Sequence, residues 1–384
     1  MNILHIVPFY GEQHGGSERF AGQLAYYQAR NKHNVIIVTT TRYRKNAKKI
    51  IVNEHLQIIK SFAPITLWNI NPVAFIIPIL RNLNPQIIHI HSHLYFISLQ
   101  SLFYGYFKKK VTILHLHGGV GFPPFDPGLV KYFTKISFDK IFTKSFIKLA
   151  TKIVSVSRRD LLVINKISNI NKLKLEYIPN GINLNKFLYN SEFNINKKLN
   201  VIYIGDLEIW KGVQLIIDLI ESDIRDLKEH FIFQFIGNGI LFPKLKKLSI
   251  DYPENIIVHG QVSHTMVPNF LKNGNIFLFP SLWEGLPTVI LEAMAVGIPI
   301  ISSPVGDIPF LIQDGVNGLI IGKKHSNIKE CLFHLKNNPE LFIKFREYNK
   351  KLIKNYDFDL IMKKLDNLYY NALRSQNSSY VDKQ

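Results

Sequence analysis

Continuous apolar runs alternate with amphipathic stretches along most of this chain, and that alternation predicts buried strands between covering helices. In the first half the pattern predicts strands over residues 2–8, 35–40, 57–59, 87–91, 111–115, 152–156 and 174–178, and a helix over 18–31. From Asn180 to Lys198 the chain turns polar and Asn-rich without a clear period, which marks an interdomain boundary near 180–198. The alternation then restarts, with strands over 200–204, 232–236, 256–259, 276–280 and 299–302, and helices over 213–221, 241–250 and 288–296. Apolar strands without a polar face belong to parallel sheets covered on both sides. The expected fold class is therefore α/β, two doubly wound Rossmann-like domains facing across a cleft, with ligands outside the carboxyl ends of the strands.

The most informative segment runs from Ser281 to Glu292. Glu284 follows an apolar strand in a Gly/Pro turn, and Glu292 lies further on, within a helix that a glycine stops at Gly297. A loop acid and a helix acid can line one cleft, and the backbone N–H groups around Gly285 to Val289 would face an anion there. Carboxylates grip hydroxyls and amides grip phosphate, so the element suits a sugar nucleotide. The plainer alternative is that Glu284 serves the helix dipole and Glu292 is a solvated helix position. Three further places carry candidate chemistry. Gly15 and Gly16 precede Ser17 at a strand-to-helix junction, where backbone can approach a phosphate or simply turn. His117 follows a strand and precedes two glycines, and Lys211 stands beside Gly212 at a helix start, placed to meet a diphosphate. His89, His91, His93 and His115 alternate along neighbouring strands. With no carboxylate or Cys at ligand spacing, a metal site is not expected.

The Ser281–Glu292 segment resembles the signature of the retaining glycosyltransferases of family 4, which have a GT-B fold. Seven shorter matches follow in family order: Gly15 to Glu18, His115 to Gly118, Val154 to Ser157, Ile178 to Gly181, Gly205 to Gly212, Phe235 to Gly239 and Asp314 to Gly318. The resemblance implies that Glu284 contacts donor-sugar hydroxyls and Glu292 the ribose. It further implies that Lys211 meets the diphosphate, that His117 lies beside the sugar, and that Gly15 and Gly16 border the diphosphate and the acceptor entrance. The amides near Gly285, Leu286, Thr288 and Val289 complete the donor site, and Gly260, ending Val258-His-Gly260, borders the base. One departure stands out: Asp206 replaces the Arg that usually follows the first Gly, and Arg158 or Arg159 is the expected compensation. The family also implies that residues 1–180 form an acceptor-binding domain and 181–357 the nucleotide-sugar domain, with a C-terminal helix over about 358–384 packing back on the first. No cofactor and no bridging metal are expected.

Charge sharpens the choice of partner. Residues 1–180 hold 24 Lys+Arg against 7 Asp+Glu, so nearly all of the net +19 lies in the front half. Basic residues recur from Lys131 to Lys152 between apolar ones, a pattern that suits an anionic membrane surface or an acidic acceptor, and equally a solvated helix face. No groove-reading helix or aromatic RNA platform is evident, so nucleic acid is not an expected partner. The single cysteine, Cys331, fits a reducing compartment. No signal peptide or transmembrane run is evident. The expectation is a cytoplasmic enzyme, peripheral at the inner face of the plasma membrane, that moves a sugar from a UDP- or GDP-sugar donor to a hydroxyl of a glycan or lipid-linked acceptor. The alternatives are a catalytically degenerate binding or scaffold subunit and a sugar-nucleotide epimerase of the same fold.

Overall fold

The computed structural model describes residues 1–10, 16–67, 71–92, 95–118, 120, 146–168, 170–187, 198–322 and 325–381. The chain divides into two compact units, Met1–Asn180 with Ile361–Gln384, and Gly181–Leu360.

The first unit is built on β1 (Asn2–Ile6), β2 (Asn34–Thr41), β3 (Lys49–Asn53), β4 (Leu56–Phe62), the short pair β5 (Ile65–Leu67) and β6 (Asn71–Val73), then β7 (Ile87–His91), β8 (Val111–Leu116), β9 (Lys152–Ser155) and β10 (Leu175–Tyr177). Eight of these form one sheet in the order β10-β9-β8-β7-β1-β2-β4-β3, in which only β3 runs antiparallel. The segment expected at 57–59 is the seven-residue β4, and β3 and the β5–β6 hairpin are elements the apolar pattern did not signal. The strand β3 lies on the edge with alternating exposure, so it carries no continuous apolar run to detect.

The two faces of this sheet differ chemically. On one, Ile88 and Ile90 pack with Ile97 and Leu102 of the Phe96–Phe107 helix in an aliphatic core. On the other, the Gly16–Arg30 helix lays Ala21 and Ala25 against Val35 and Ile37. On that second face the strand positions next to Ile88 and Ile90 are His89 and His91, both buried. Tyr369, from the Phe358–Val381 helix, is buried against His89 in the same unit.

The second unit is a wholly parallel sheet of β11 (Leu199–Ile204), β12 (Phe231–Ile236), β13 (Ile256–Gly260), β14 (Ile276–Phe279), β15 (Ile300–Ser302) and β16 (Leu319–Ile320), in the order β13-β12-β11-β14-β15-β16. This is the doubly wound order whose direction reverses between β11 and β14, and ligands of such sheets bind at the reversal. Its core joins Val201 and Tyr203 to Phe233 and Phe235 and to Ile216 and Ile220 of the Val213–Leu227 helix. Each fully buried side chain of that size stabilises by about 1.5–3 kcal/mol. Rigid strands thus hold the loops that leave the tips of β11 and β14.

Candidate functional site

The loop leaving β11 turns through Gly205, continues in the 3-10 turn Ile209–Lys211, and enters the Val213–Leu227 helix at Gly212. Gly212 has φ +72°, and a Cβ there would stand 1.9 Å from the Pro280 carbonyl oxygen. Only glycine allows that approach, which presses the β11 loop against the end of β14. The Leu282 amide donates to the Trp210 carbonyl at 3.0 Å and fastens the two loops together. Lys211 and Glu284 meet as a consequence: Lys211 Nζ lies 2.6 Å from Glu284 Oε1, with side chains only 14% and 10% exposed. The ammonium also lies 4.3 Å from the centre of the Trp210 ring, a cation–π contact.

Glu284 is held from both sides. Ser281 Oγ donates to the same Oε1 at 2.8 Å. Beneath the turn, the Asp307 amide donates to the Gly285 carbonyl at 2.9 Å, and Gly306 has φ +57° where a Cβ would stand 2.4 Å from the Glu284 and Gly285 carbonyls. Both hydrogen bonds to the carboxylate land on Oε1; among the described residues Oε2 has no partner. Thr288 and Val289 then open the Thr288–Val296 helix, where backbone N–H groups lack intrahelical acceptors, and Leu286 is buried just before it. Glu292 is buried within that helix and pairs with His264, Nε2 to Oε1 at 2.8 Å. The two acids are therefore engaged separately, Glu284 with Lys211 and Glu292 with His264.

Around the neighbouring strand tips, Gly205, Gly237 and Gly260 interlock: the Gly205 amide donates to Ile236 and the Gly237 amide to Gly260, at 3.0 and 2.9 Å. A Cβ on Gly237 would stand 1.8 Å from the Gly205 carbonyl oxygen. Tyr203, buried below, donates its hydroxyl to the Asp206 carbonyl at 2.8 Å, while the Asp206 side chain is exposed. Burial, reinforced by the negative charge of Glu284, raises the Tyr203 phenol well above its ordinary value, so it stays a donor.

In the first unit, Gly16 opens the Gly16–Arg30 helix after β1. Gly15 lies outside the described residues, as do His93 and the basic positions Lys131, Lys135, Lys140 and Lys144. His117 stands just past the end of β8, half-buried, with Nε2 3.1 Å from His91 Nδ1. Five imidazoles, His5, His89, His91, His115 and His117, gather there, and within each of the groups His5/His89/His91 and His91/His115/His117 one nitrogen per ring lies within 4.8 Å of the others. Strand alternation alone did not foresee this cluster, because His5 reaches it from β1. Burial lowers the His5 ring to about 4 and the His117 ring to about 3, and it carries His89, His91 and His115 well below the usual histidine value. Arg158 stacks over the Tyr177 ring in this unit, 4.7 Å from its centre.

Two family descriptions match adjoining parts of the chain: Glycosyl transferases group 1 over residues 186–352 and Glycosyltransferase Family 4 over residues 14–186. The chain belongs to this glycosyltransferase family. An uncharacterized glycosyltransferase of Methanocaldococcus jannaschii is 28% identical over 333 residues, covering 84% of this chain and 86% of its own. The UDP-Gal:alpha-D-GlcNAc-diphosphoundecaprenol alpha-1,3-galactosyltransferase of Escherichia coli is 24% identical over 240 residues, covering 59% and 62%. Among solved structures, HepE of Anabaena in complex with UDP superposes with a TM-score of 0.73 at 12% identity, covering 97% of this chain and 100% of that one. The fold of this glycosyltransferase is accordingly of the GT-B type.

Several residues that shape the site of this glycosyltransferase escaped the sequence pattern. His264 lies in the short 3-10 turn His264–Met266, and nothing local announces a partner 28 positions away. Ser281 and Gly306 brace Glu284. Nearby, Asp307 is fully buried and Phe310 is exposed.

Proposed function

We propose that this glycosyltransferase moves a hexosyl group from a UDP- or GDP-sugar to a hydroxyl of a lipid-linked glycan, with retention of anomeric configuration. The observation that carries this reading is the Lys211–Glu284 pair at the β11/β14 reversal, in which each partner keeps capacity to spare. Lys211 has three donors and gives one to Glu284, so the others are available to a diphosphate. Glu284 Oε2 is available to a sugar hydroxyl, and the first amides of the Thr288–Val296 helix favour negative charge. Glu292, oriented by His264, is suited to ribose hydroxyls, and Gly260 to bordering the base. In this reading the departing diphosphate is stabilised by Lys211 and the helix amides, and no enzymic nucleophile is required. No metal or other cofactor enters the proposal. His117 is assigned to the sugar and Gly15 and Gly16 to the diphosphate and acceptor entrance, as the family resemblance implies.

The relatives support the substrate class: the Escherichia coli enzyme is named for a UDP-sugar donor and a diphosphoundecaprenol acceptor, and HepE was solved with UDP. Among the described residues no helix is long and apolar enough to cross a membrane. We assign the enzyme to the inner face of the plasma membrane, held peripherally by the front half. There the Phe96–Phe107 helix ends with Tyr106 and Phe107 57% and 73% exposed, immediately before Lys108, Lys109 and Lys110. Aromatic rings beside basic side chains suit an anionic interface.

The exposed Asp206 favours one rival, a subunit that binds a sugar nucleotide without turning it over. Titration of the protein with UDP- and GDP-sugars, alongside a transfer assay with acceptor extract, separates the two. An active transferase binds one donor and releases its nucleotide. Glu284→Ala is expected to keep nucleotide binding and lose turnover by about 100-fold; unchanged turnover removes Glu284 from the site.

A further inference from the structure

The five buried imidazoles fall into two hydrogen-bonded chains. In one, Tyr369 Oη meets His89 Nδ1, His89 Nε2 lies 3.1 Å from His115 Nδ1, and the chain stops at His115 Nε2, buried with no partner. In the other, Gln28 Oε1 lies 2.8 Å from His5 Nε2, His5 Nδ1 lies 3.0 Å from His91 Nε2, and His91 Nδ1 lies 3.1 Å from His117 Nε2. The second chain alone reaches a strand tip.

A neutral imidazole has one N–H and one lone pair, so each ring in a chain must pass polarity on in one direction. Gln28 fixes that direction. The structure turns its amide oxygen to His5, 2.8 Å from Nε2. An amide oxygen only accepts, so His5 donates through Nε2 and accepts through Nδ1. His91 then donates through Nε2, and His117 donates through Nε2 to His91. His117 Nδ1 remains as a bare lone pair, with no partner among the described residues.

We infer that Gln28, His5 and His91 form a positioning relay that pins His117 in its Nε2–H tautomer, so that it offers the donor sugar a hydrogen-bond acceptor, Nδ1, for a hydroxyl. The inference rests on the proposed contact between His117 and the donor. A resident metal explains the cluster less well. Along the second chain the paired nitrogens already spend their N–H groups and lone pairs on one another and on Gln28.

Ring nitrogen NMR on histidine-labelled protein tests this directly. In the unaltered enzyme at neutral pH, His117 is expected as a single neutral Nε2–H tautomer. A Nδ1–H tautomer, or zinc uptake at one equivalent that rearranges these ring signals, overturns the relay. Gln28→Met removes the terminal acceptor while keeping length. It should give His117 a mixture of tautomers and lower kcat about tenfold, the population shift that one hydrogen bond commands, with donor KM within about twofold. A single tautomer retained in the variant, or mixed tautomers with unchanged kcat, contradicts the inference. If the variant does not fold, the measurement on the unaltered enzyme still decides. Because the tautomer is read without substrate, its failure is distinguishable from a failure of the proposed transfer reaction.

Discussion

The two sheets solve the same problem, polar chemistry at a strand tip over a buried core, in opposite ways. At the end of β14 the second unit keeps a charged pair, Lys211 and Glu284, nearly out of water. Along β1, β7 and β8 the first unit keeps five imidazoles that burial holds neutral. A nearly buried ion pair is costly to desolvate and contributes little net stability, so its place at the strand reversal points to ligand binding rather than to folding. Neutral rings escape that cost, pairing most of their nitrogens with one another, and they answer to pH instead.

Acidification is the strongest way to set the two apart. Each of the five rings titrates near 6.5 when unfolded and lower when folded, so below about 6.5 the unfolded chain binds more protons and the first unit loses stability as pH falls. Each ring removes up to about 1.4 kcal/mol per pH unit between those values. Asp366, raised to about 6, works the other way between about 6 and 4, but it is one group against five. Far-UV circular dichroism with unit-specific tryptophan fluorescence should show the first unit unfolding first; Trp210 and Trp283 report on the second. Simultaneous loss of both units would erase the contrast.

Lys211→Met should lower kcat/KM about 1,000-fold, since it deletes the side-chain cation that pairs with Glu284. Steady-state kinetics with saturating acceptor would check it. Gly212→Ala attacks the scaffold under the pair: a left-handed backbone and a Cβ against the Pro280 carbonyl should cost about 2 kcal/mol or more, visible in denaturant melts. His264→Asn should weaken nucleotide binding about fivefold, the loss of one hydrogen bond that orients Glu292, with kcat nearly unchanged. An effect on kcat alone would take Glu292 away from the ribose.

Much of this architecture was legible because parallel strands buried on both faces must be continuously apolar. The segment Ile87–His91 shows the limit of that rule: its bounds are plain, yet its histidines, weighed in the sequence only as metal ligands, join a hydrogen-bonded cluster once β1 is laid beside it. The 288–296 helix was equally plain, from the Pro-Thr start to the Gly297 stop, and the position of Glu292 within it followed. Partners did not follow. Lys211 and Glu284 are 73 residues apart and Glu292 and His264 are 28 apart, and no local pattern encodes a meeting that depends on two strands being neighbours. The β3 edge strand and the β5–β6 hairpin were hidden for a different reason, since short or half-exposed strands need no apolar run.

The central claim, that Lys211 and Glu284 form a nucleotide-sugar site, is tested most directly by calorimetric titration of UDP and GDP into the unaltered protein, Lys211→Met and Glu284→Ala. The account predicts saturable binding of one nucleotide, weakened at least tenfold by Lys211→Met and largely kept by Glu284→Ala. Binding that Lys211→Met leaves untouched, or no binding of either nucleotide by the unaltered protein, would contradict it.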